Sequence, residues 1–126
     1  MNKIIVIVGL PGSGKTFLGN QLSDNDNILL DDFEYSKEYF FDISKNYILT
    51  NPYFCTTSKE NIISKLPTVF EISFIFFENN LENCWYNVQN RQEYKKICYS
   101  FMKHLSDNYL KNYNLDDENI ISVKKY

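Results

Sequence analysis

Short apolar blocks recur along the chain with polar, turn-forming segments between them, and their order predicts alternating strands and helices. Ile4 to Val8 is an unbroken apolar run that reads as a buried strand and opens onto a glycine-rich segment. Thr16 to Leu22 follows as a short helix with Phe17, Leu18 and Leu22 expected to face inward, and Ser23-Asp24-Asn25-Asp26-Asn27 ends it as a turn. Ile28-Leu29-Leu30 is a second strand, closed by Asp31-Asp32. Phe33 to about Phe41 can form a helix with Phe33, Phe40 and Phe41 buried, and Tyr47 to Thr50 gives a third strand stopped by Asn51-Pro52. Thr57-Ser58-Lys59-Glu60 has the form of a capping box for a helix that carries Ile62, Ile63 and Leu66 and ends at Pro67. Val69 to Phe77 is the longest strand; Ile72, Phe74, Ile75, Phe76 and Phe77 suggest burial on both faces, as in a central parallel strand.

Leu81, Trp85 and Val88 fall at helical spacing and put Asn87 and Arg91 on the adjoining, more polar side. A further helix from about Glu93 to Asn112 carries Ile97, Phe101, Leu105 and Tyr109 at every fourth position. Asn114 to Glu118 is an acidic loop, and Asn119 to Val123 supplies a last strand. Five strands alternating with about five helices predict a parallel sheet with helices on both faces. A chain of 126 residues suits one domain spanning 1–126.

Composition narrows the partners. A net charge of −3 excludes a broad basic surface for duplex nucleic acid. Lys95-Lys96 and Lys124-Lys125 are the adjacent basic pairs and read as solvated surface. Cys55, Cys84 and Cys98 are odd in number, lack zinc-ligand spacing and have apolar neighbours, which suits buried free thiols in a reducing compartment. Val69 to Phe77, interrupted by Glu71, is too short to span a bilayer, and no small-residue cleavage site follows Ile4 to Leu10. A soluble cytoplasmic protein without a membrane partner is expected.

The segment after the first strand reads Gly9-Leu10-Pro11-Gly12-Ser13-Gly14-Lys15-Thr16, a complete G-x-x-x-x-G-K-[ST] phosphate-binding loop. A buried strand feeding such a turn and then a helix aims several backbone N–H groups at one point, where an anion belongs. Gly9, Gly12 and Gly14, with Pro11 and Ser13 between, form the cradle; Lys15 supplies charge for the β/γ-phosphates and Thr16 a hydroxyl for Mg²⁺. The expected ligand is a nucleoside triphosphate. No guanine-specific N-K-x-D motif is present, which does not by itself establish adenine, and ATP is taken as the default.

Phosphoryl transfer asks a protein to position reactants and neutralise charge. Asp31 and Asp32 stand directly after the second strand, at the same sheet edge as the loop, and compete for the base role. Either could instead cap the following helix, so one can act while the other caps. The metal is expected on Thr16 and Asp32, with Asp31 as the other available carboxylate. Arg91, the chain's single arginine, has a planar guanidinium suited to phosphate oxygens, although a lone arginine is commonly a surface residue. His104 reads as a surface or half-buried residue, and the ten tyrosines and ten phenylalanines are sufficiently explained by packing.

Gly9 to Thr16, followed by Asp31-Asp32-Phe33 and a late Arg91, resembles the small P-loop kinases, nearest the bacteriophage polynucleotide 5'-hydroxyl kinase group and more distantly the nucleoside monophosphate kinases. The resemblance implies a three-layer α/β P-loop NTPase fold. It also implies Asp31 as general base with Asp32 as second choice, and Arg91 as the lid arginine over the transferring phosphate. The segment Phe76-Phe77-Glu78-Asn79-Asn80, continuing through Cys84, Asn87 and Arg91, looks like the post-strand stretch of small viral and phage ATP-binding proteins of that class. Two departures stand out. Asn51 takes the place of the acidic residue that ends the third strand in that group, and Glu34 and Tyr35 stand where an acceptor-phosphate arginine follows the aspartates. The expected activity is transfer of the γ-phosphoryl of ATP to a nucleoside, nucleotide, 5'-hydroxyl nucleic-acid end or other small acceptor. The rival is a nucleotide-dependent switch with slow hydrolysis.

Overall fold

The computed structural model describes residues 1–34, 39–91, 97–117 and 119–125. Its strands are β1 (Lys3–Val8), β2 (Asn27–Leu30), β3 (Asn46–Thr50), β4 (Glu71–Phe77) and β5 (Ile120–Ile121). The helices are α1 (Lys15–Leu22), α2 (Lys59–Ser64), α3 (Leu81–Gln89) and α4 (Tyr99–Asn112), with 3₁₀ turns at Pro52–Thr56 and Leu115–Asp117. All pairings are parallel and the strand order is β2-β3-β1-β4-β5. Helices flank the sheet in a three-layer α/β architecture of the P-loop type, as the alternating pattern predicts.

The centre of the sheet is β1, where Val6 lies between Leu49 of β3 and Phe74 of β4. Ile4, Val6, Ile7 and Val8 are fully buried, so both faces of this strand are covered. Below α1 the packing is unusually close: a Cβ at Gly19 would lie 2.8 Å from Leu29 Cδ1. Lys15 and Gly19, one turn apart, form the inward stripe of α1. That seating turns Phe17 (65% exposed) and Leu22 outward, contrary to the expectation that both pack inward, while Leu18 packs against the core.

Other expectations are corrected for local reasons. No helix runs through the described part of 33–41, and 35–38 lie outside the described residues. The backbone of Phe33 is engaged elsewhere: its N–H donates to the Thr50 carbonyl at 2.8 Å, and its carbonyl accepts from Asn51 Nδ2 at 2.7 Å. Phe33 and Phe41 pack edge-on with centroids 5.7 Å apart, and Phe41 meets Tyr47 at 4.9 Å, leaving Phe40 in solvent. The cap of α2 is Ser58, whose hydroxyl accepts the Asn61 N–H at 3.2 Å, one residue later than the capping-box reading; Ile62 and Leu66 are buried, whereas Ile63 is exposed.

Strand β4 begins at Glu71, and Val69 is exposed. Among the described residues Phe76 and Phe77 pair with the short β5, so the first half of β4 is a sheet edge, and Phe76 and Phe77 are the buried residues of the strand. Helix α4 starts at Tyr99, and residues 93–96 of the longer predicted helix lie outside the described set. Its buried stripe is Met102, Leu105, Ser106 and Tyr109. Cys55 and Cys84 are buried free thiols, but Cys98 is exposed where α4 begins. Among the described residues no helix is long and apolar enough to cross a membrane.

Candidate functional site

The loop between β1 and α1 has the backbone that its glycines predict. Gly12 and Gly14 take φ of +84° and +108°, a region open to glycine and strained for other residues. Gly14 is the N-cap of α1 and offers no side chain to its first-turn N–H groups. Gly9, Pro11, Gly12 and Ser13 are buried. Ser13 Oγ is a buried side-chain oxygen without a hydrogen-bond partner among the described residues, an anomaly in a protein interior.

Lys15 is itself buried, and its Nζ donates to the Leu10 carbonyl at 2.9 Å. Burial holds its pKa below the ordinary lysine value, and the Arg91 charge acts in the same direction. The ammonium therefore sits desolvated inside the loop against a neutral acceptor, an arrangement that an anion would relieve.

Thr16 Oγ1 donates to the Asp31 carboxylate, 3.1 Å from Oδ1 and 3.3 Å from Oδ2. Asp31 Oδ1 also accepts the hydroxyl of Thr50. Asp32 follows in the left-handed region with φ of 55°, and its N–H donates to Thr50 Oγ1 at 3.2 Å. Thus the carboxylate that meets the loop threonine is Asp31, whereas the metal expectation paired Thr16 with Asp32. A hydroxyl whose hydrogen points at Asp31 keeps its lone pairs for a hard cation, so Thr16 and Asp31 fit Mg²⁺. No group of three or more His, Cys, Asp or Glu able to hold a metal occurs among the described residues, so water and phosphate oxygens would complete such a shell.

Asn51, in place of an acidic residue, is structural here. Its Nδ2 holds the Phe33 carbonyl and its Oδ1 accepts the Tyr53 N–H at 2.7 Å, capping the 3₁₀ turn.

Arg91 follows the C-cap of α3 and is exposed. It lines a cavity of about 610 Å³ together with Gly12, Gly14, Lys15 and Thr16, so the structure brings it to the loop. Phe17, Asn87 and Asn90 complete the wall. Asp31 and Asp32 are not among the residues lining this cavity.

Two residues near the site were given no role by sequence. Asn87, expected on a polar face, is buried, and its Nδ2 donates to Gly12 O at 2.9 Å and to Lys124 O at 2.6 Å. The carbonyl of Cys84, on the same helix, is so near Gly12 that a Cβ there would lie 2.5 Å away. Thr50 looked like an ordinary strand residue but is 1% exposed and bonded to both aspartates. For Thr50 the available signal was a polar residue ending an apolar strand, whereas Asn87 read as part of a polar helix face. Below the loop, Tyr109 Oη donates to the Phe77 carbonyl at 2.6 Å, joining α4 to the end of β4.

The remaining chemistry-bearing groups are inert or remote. Burial pushes the Cys55 and Cys84 thiols up to about 12, so both stay protonated and un-nucleophilic. His104 is exposed on α4, where it neighbours Asn108.

Comparison with known proteins fits this architecture. No family model matches the chain. Over 141 aligned residues it is 32% identical to Uncharacterized protein R277 of Acanthamoeba polyphaga mimivirus, with 98% of each chain covered. The chain belongs to the same family as that mimivirus protein. Among solved structures it is similar to a chain of the Pnkp1/Rnl/Hen1 RNA repair complex, with a TM-score of 0.67 at 14% identity. That match covers 88% of this chain and 45% of the solved one, so the chain spans less than half the length of its structural neighbour. The likeness is one of fold alone.

Proposed function

We propose that the chain is a P-loop phosphotransferase that binds ATP with Mg²⁺ and passes the γ-phosphoryl to a hydroxyl or phosphate of a small or terminal acceptor. The observation that carries this reading is the Thr16–Asp31 contact beside the buried Lys15: one sheet edge brings a glycine-rich loop, a hydroxyl and a carboxylate together. The loop N–H groups, the Ser13 hydroxyl and Lys15 bind the phosphates. Thr16 would hold Mg²⁺, with Asp31 beside it, and the metal's contribution when bound is to neutralise charge between the β- and γ-phosphates. Asp31 or Asp32 orients the acceptor hydroxyl and takes its proton, Asp31 foremost because it faces Thr16. Arg91 spreads positive charge over the group in transfer.

The RNA repair setting of the structural neighbour supports including a nucleic-acid end among the acceptors. The test is release of ADP with MgATP alone and with nucleosides, nucleotides and 5'-hydroxyl oligonucleotides, together with mass detection of a phosphorylated acceptor. Stimulation by an acceptor that becomes phosphorylated supports the kinase. One observation favours a second reading, a nucleotide-dependent switch: Asn51 is spent on capping, leaving no carboxylate at the end of β3. A slow turnover that no acceptor changes would select it.

A further inference from the structure

Strand β3 lies between β2, whose last residue Leu30 is followed by Asp31, and β1, which feeds the glycine-rich loop, and Thr50 is its last residue. Across the sheet Thr50 is in register with Ile7 of β1. Its side chain is therefore buried under the junction of the two halves of the proposed site. An apolar β-branched residue would fill that space equally well and avoid burying a hydroxyl, which needs partners in such a place. The hydroxyl has partners: it donates to Asp31 Oδ1 and accepts the Asp32 N–H at 3.2 Å. Asp31 receives a second hydroxyl from Thr16, so the carboxylate is clamped between two threonines from different elements.

We propose that Thr50 is the positioning residue of this site, holding the Asp31 carboxylate against Thr16 before the metal and nucleotide arrive. This rests on the phosphotransferase reading above and assigns a role to a residue outside the sequence motifs. Thr50 also sets the Asp31-Asp32 turn, because the same oxygen fixes the Asp32 amide, and its carbonyl accepts the Phe33 N–H at 2.8 Å. The main-chain contact belongs to any residue at this position; the hydroxyl contacts belong to threonine or serine. Thr50→Val therefore separates the two, since it keeps the shape and the carbonyl and deletes only the hydroxyl.

The experiment uses the full chain as wild type, Thr50→Val, Thr50→Ser, Asp31→Asn and the Thr50→Val/Asp31→Asn double variant. Calorimetry gives ATP affinity with Mg²⁺ and with EDTA, steady-state kinetics give kcat and KM, and a melting curve reports folding. In Thr50→Val the metal-free affinity is expected to stay as in wild type, while the gain on adding Mg²⁺ and the kcat fall roughly 10- to 100-fold, as for loss of an outer-shell partner. Thr50→Ser restores both, and valine adds little once Asp31 is asparagine. A valine variant that keeps the Mg²⁺ gain and kcat, a serine variant as impaired as valine, or an undiminished valine effect in the Asp31→Asn background would overturn the proposal. If valine prevents folding, Thr50→Ala is read against Thr50→Ser by the same criteria. Wild type that gives no heat with ATP under either condition has a different signature and removes the phosphotransferase reading together with this one.

Discussion

Lys15 Nζ donates to the carbonyl of Leu10, five residues earlier in the same loop, at 2.9 Å. The loop therefore binds its own lysine in the way that a phosphate oxygen would. A triphosphate would exchange a neutral carbonyl for an anion at a desolvated ammonium, where the electrostatic gain is largest. Lys15→Ala is expected to weaken ATP affinity by at least about tenfold, the scale of one charge-assisted hydrogen bond, with little loss of melting temperature. Titration calorimetry and thermal melting read the two effects separately.

Arg91 shares the cavity wall with Lys15 and Thr16 but is exposed. Its removal should therefore act on rate more than on folding. Arg91→Ala is expected to lower kcat by roughly 10²- to 10³-fold, the scale for losing one donor to developing charge, and Arg91→Lys to recover only part because the planar fork is lost. Equal loss of ground-state nucleotide affinity and kcat/KM would assign Arg91 to binding alone.

Asp31 and Asp32 are separable by their contacts. Asp31→Asn is expected to suppress transfer while sparing metal-free ATP affinity; Asp32→Asn should do less. The reverse ranking in single-turnover transfer would move the base role to Asp32.

Gly12 combines positive φ with a Cβ position 2.5 Å from the Cys84 carbonyl. Gly12→Ala should destabilise the fold by about 1–3 kcal/mol from backbone strain alone, with the clash adding to it. Chemical denaturation measures the loss, and an unchanged midpoint would mean that the loop and α3 separate easily.

The three thiols should sort by environment. Ser100 Oγ lies 3.2 Å from Cys98 Sγ and lowers the pKa of that exposed thiol, whereas Cys55 and Cys84 are held at about 12 by burial. In the folded chain alkylation at mildly alkaline pH is expected at Cys98 alone, read by mass spectrometry. Because burial raises the Cys55 and Cys84 values above the ordinary 9.0, their contribution to stability is complete below pH 9.0 and is lost as the pH climbs toward about 12. Melting temperature should decline across that window, and less steeply in Cys55→Ala.

The geometry of the glycine-rich loop was legible because its signals are local: glycines stand at fixed offsets between a strand that announces itself as an apolar run and the helix that starts at Lys15. Sheet class followed from alternation. The helix expected at 33–41 failed in its described part because the Phe33 backbone pairs with Thr50 and Asn51, contacts that exist only after β3 has docked beside β2. Phe17 and Leu22 misled because the face of α1 is chosen by a glycine, Gly19, rather than by its large apolar residues. Asn87 and Thr50 were hidden for a similar reason. Thr50 looks like a stray polar residue in an apolar strand, and Asn87 like part of a polar helix face, until elements far apart in sequence meet over them.

Asn87 spans from Gly12, near the start of the chain, to Lys124. During synthesis the glycine loop leaves the ribosome before Asn87 and Lys124, on which one of its props is anchored. An emerging chain should thus fix this loop late, and premature termination before Lys124 would release Asn87 from one of its anchors even though every loop residue had already been made.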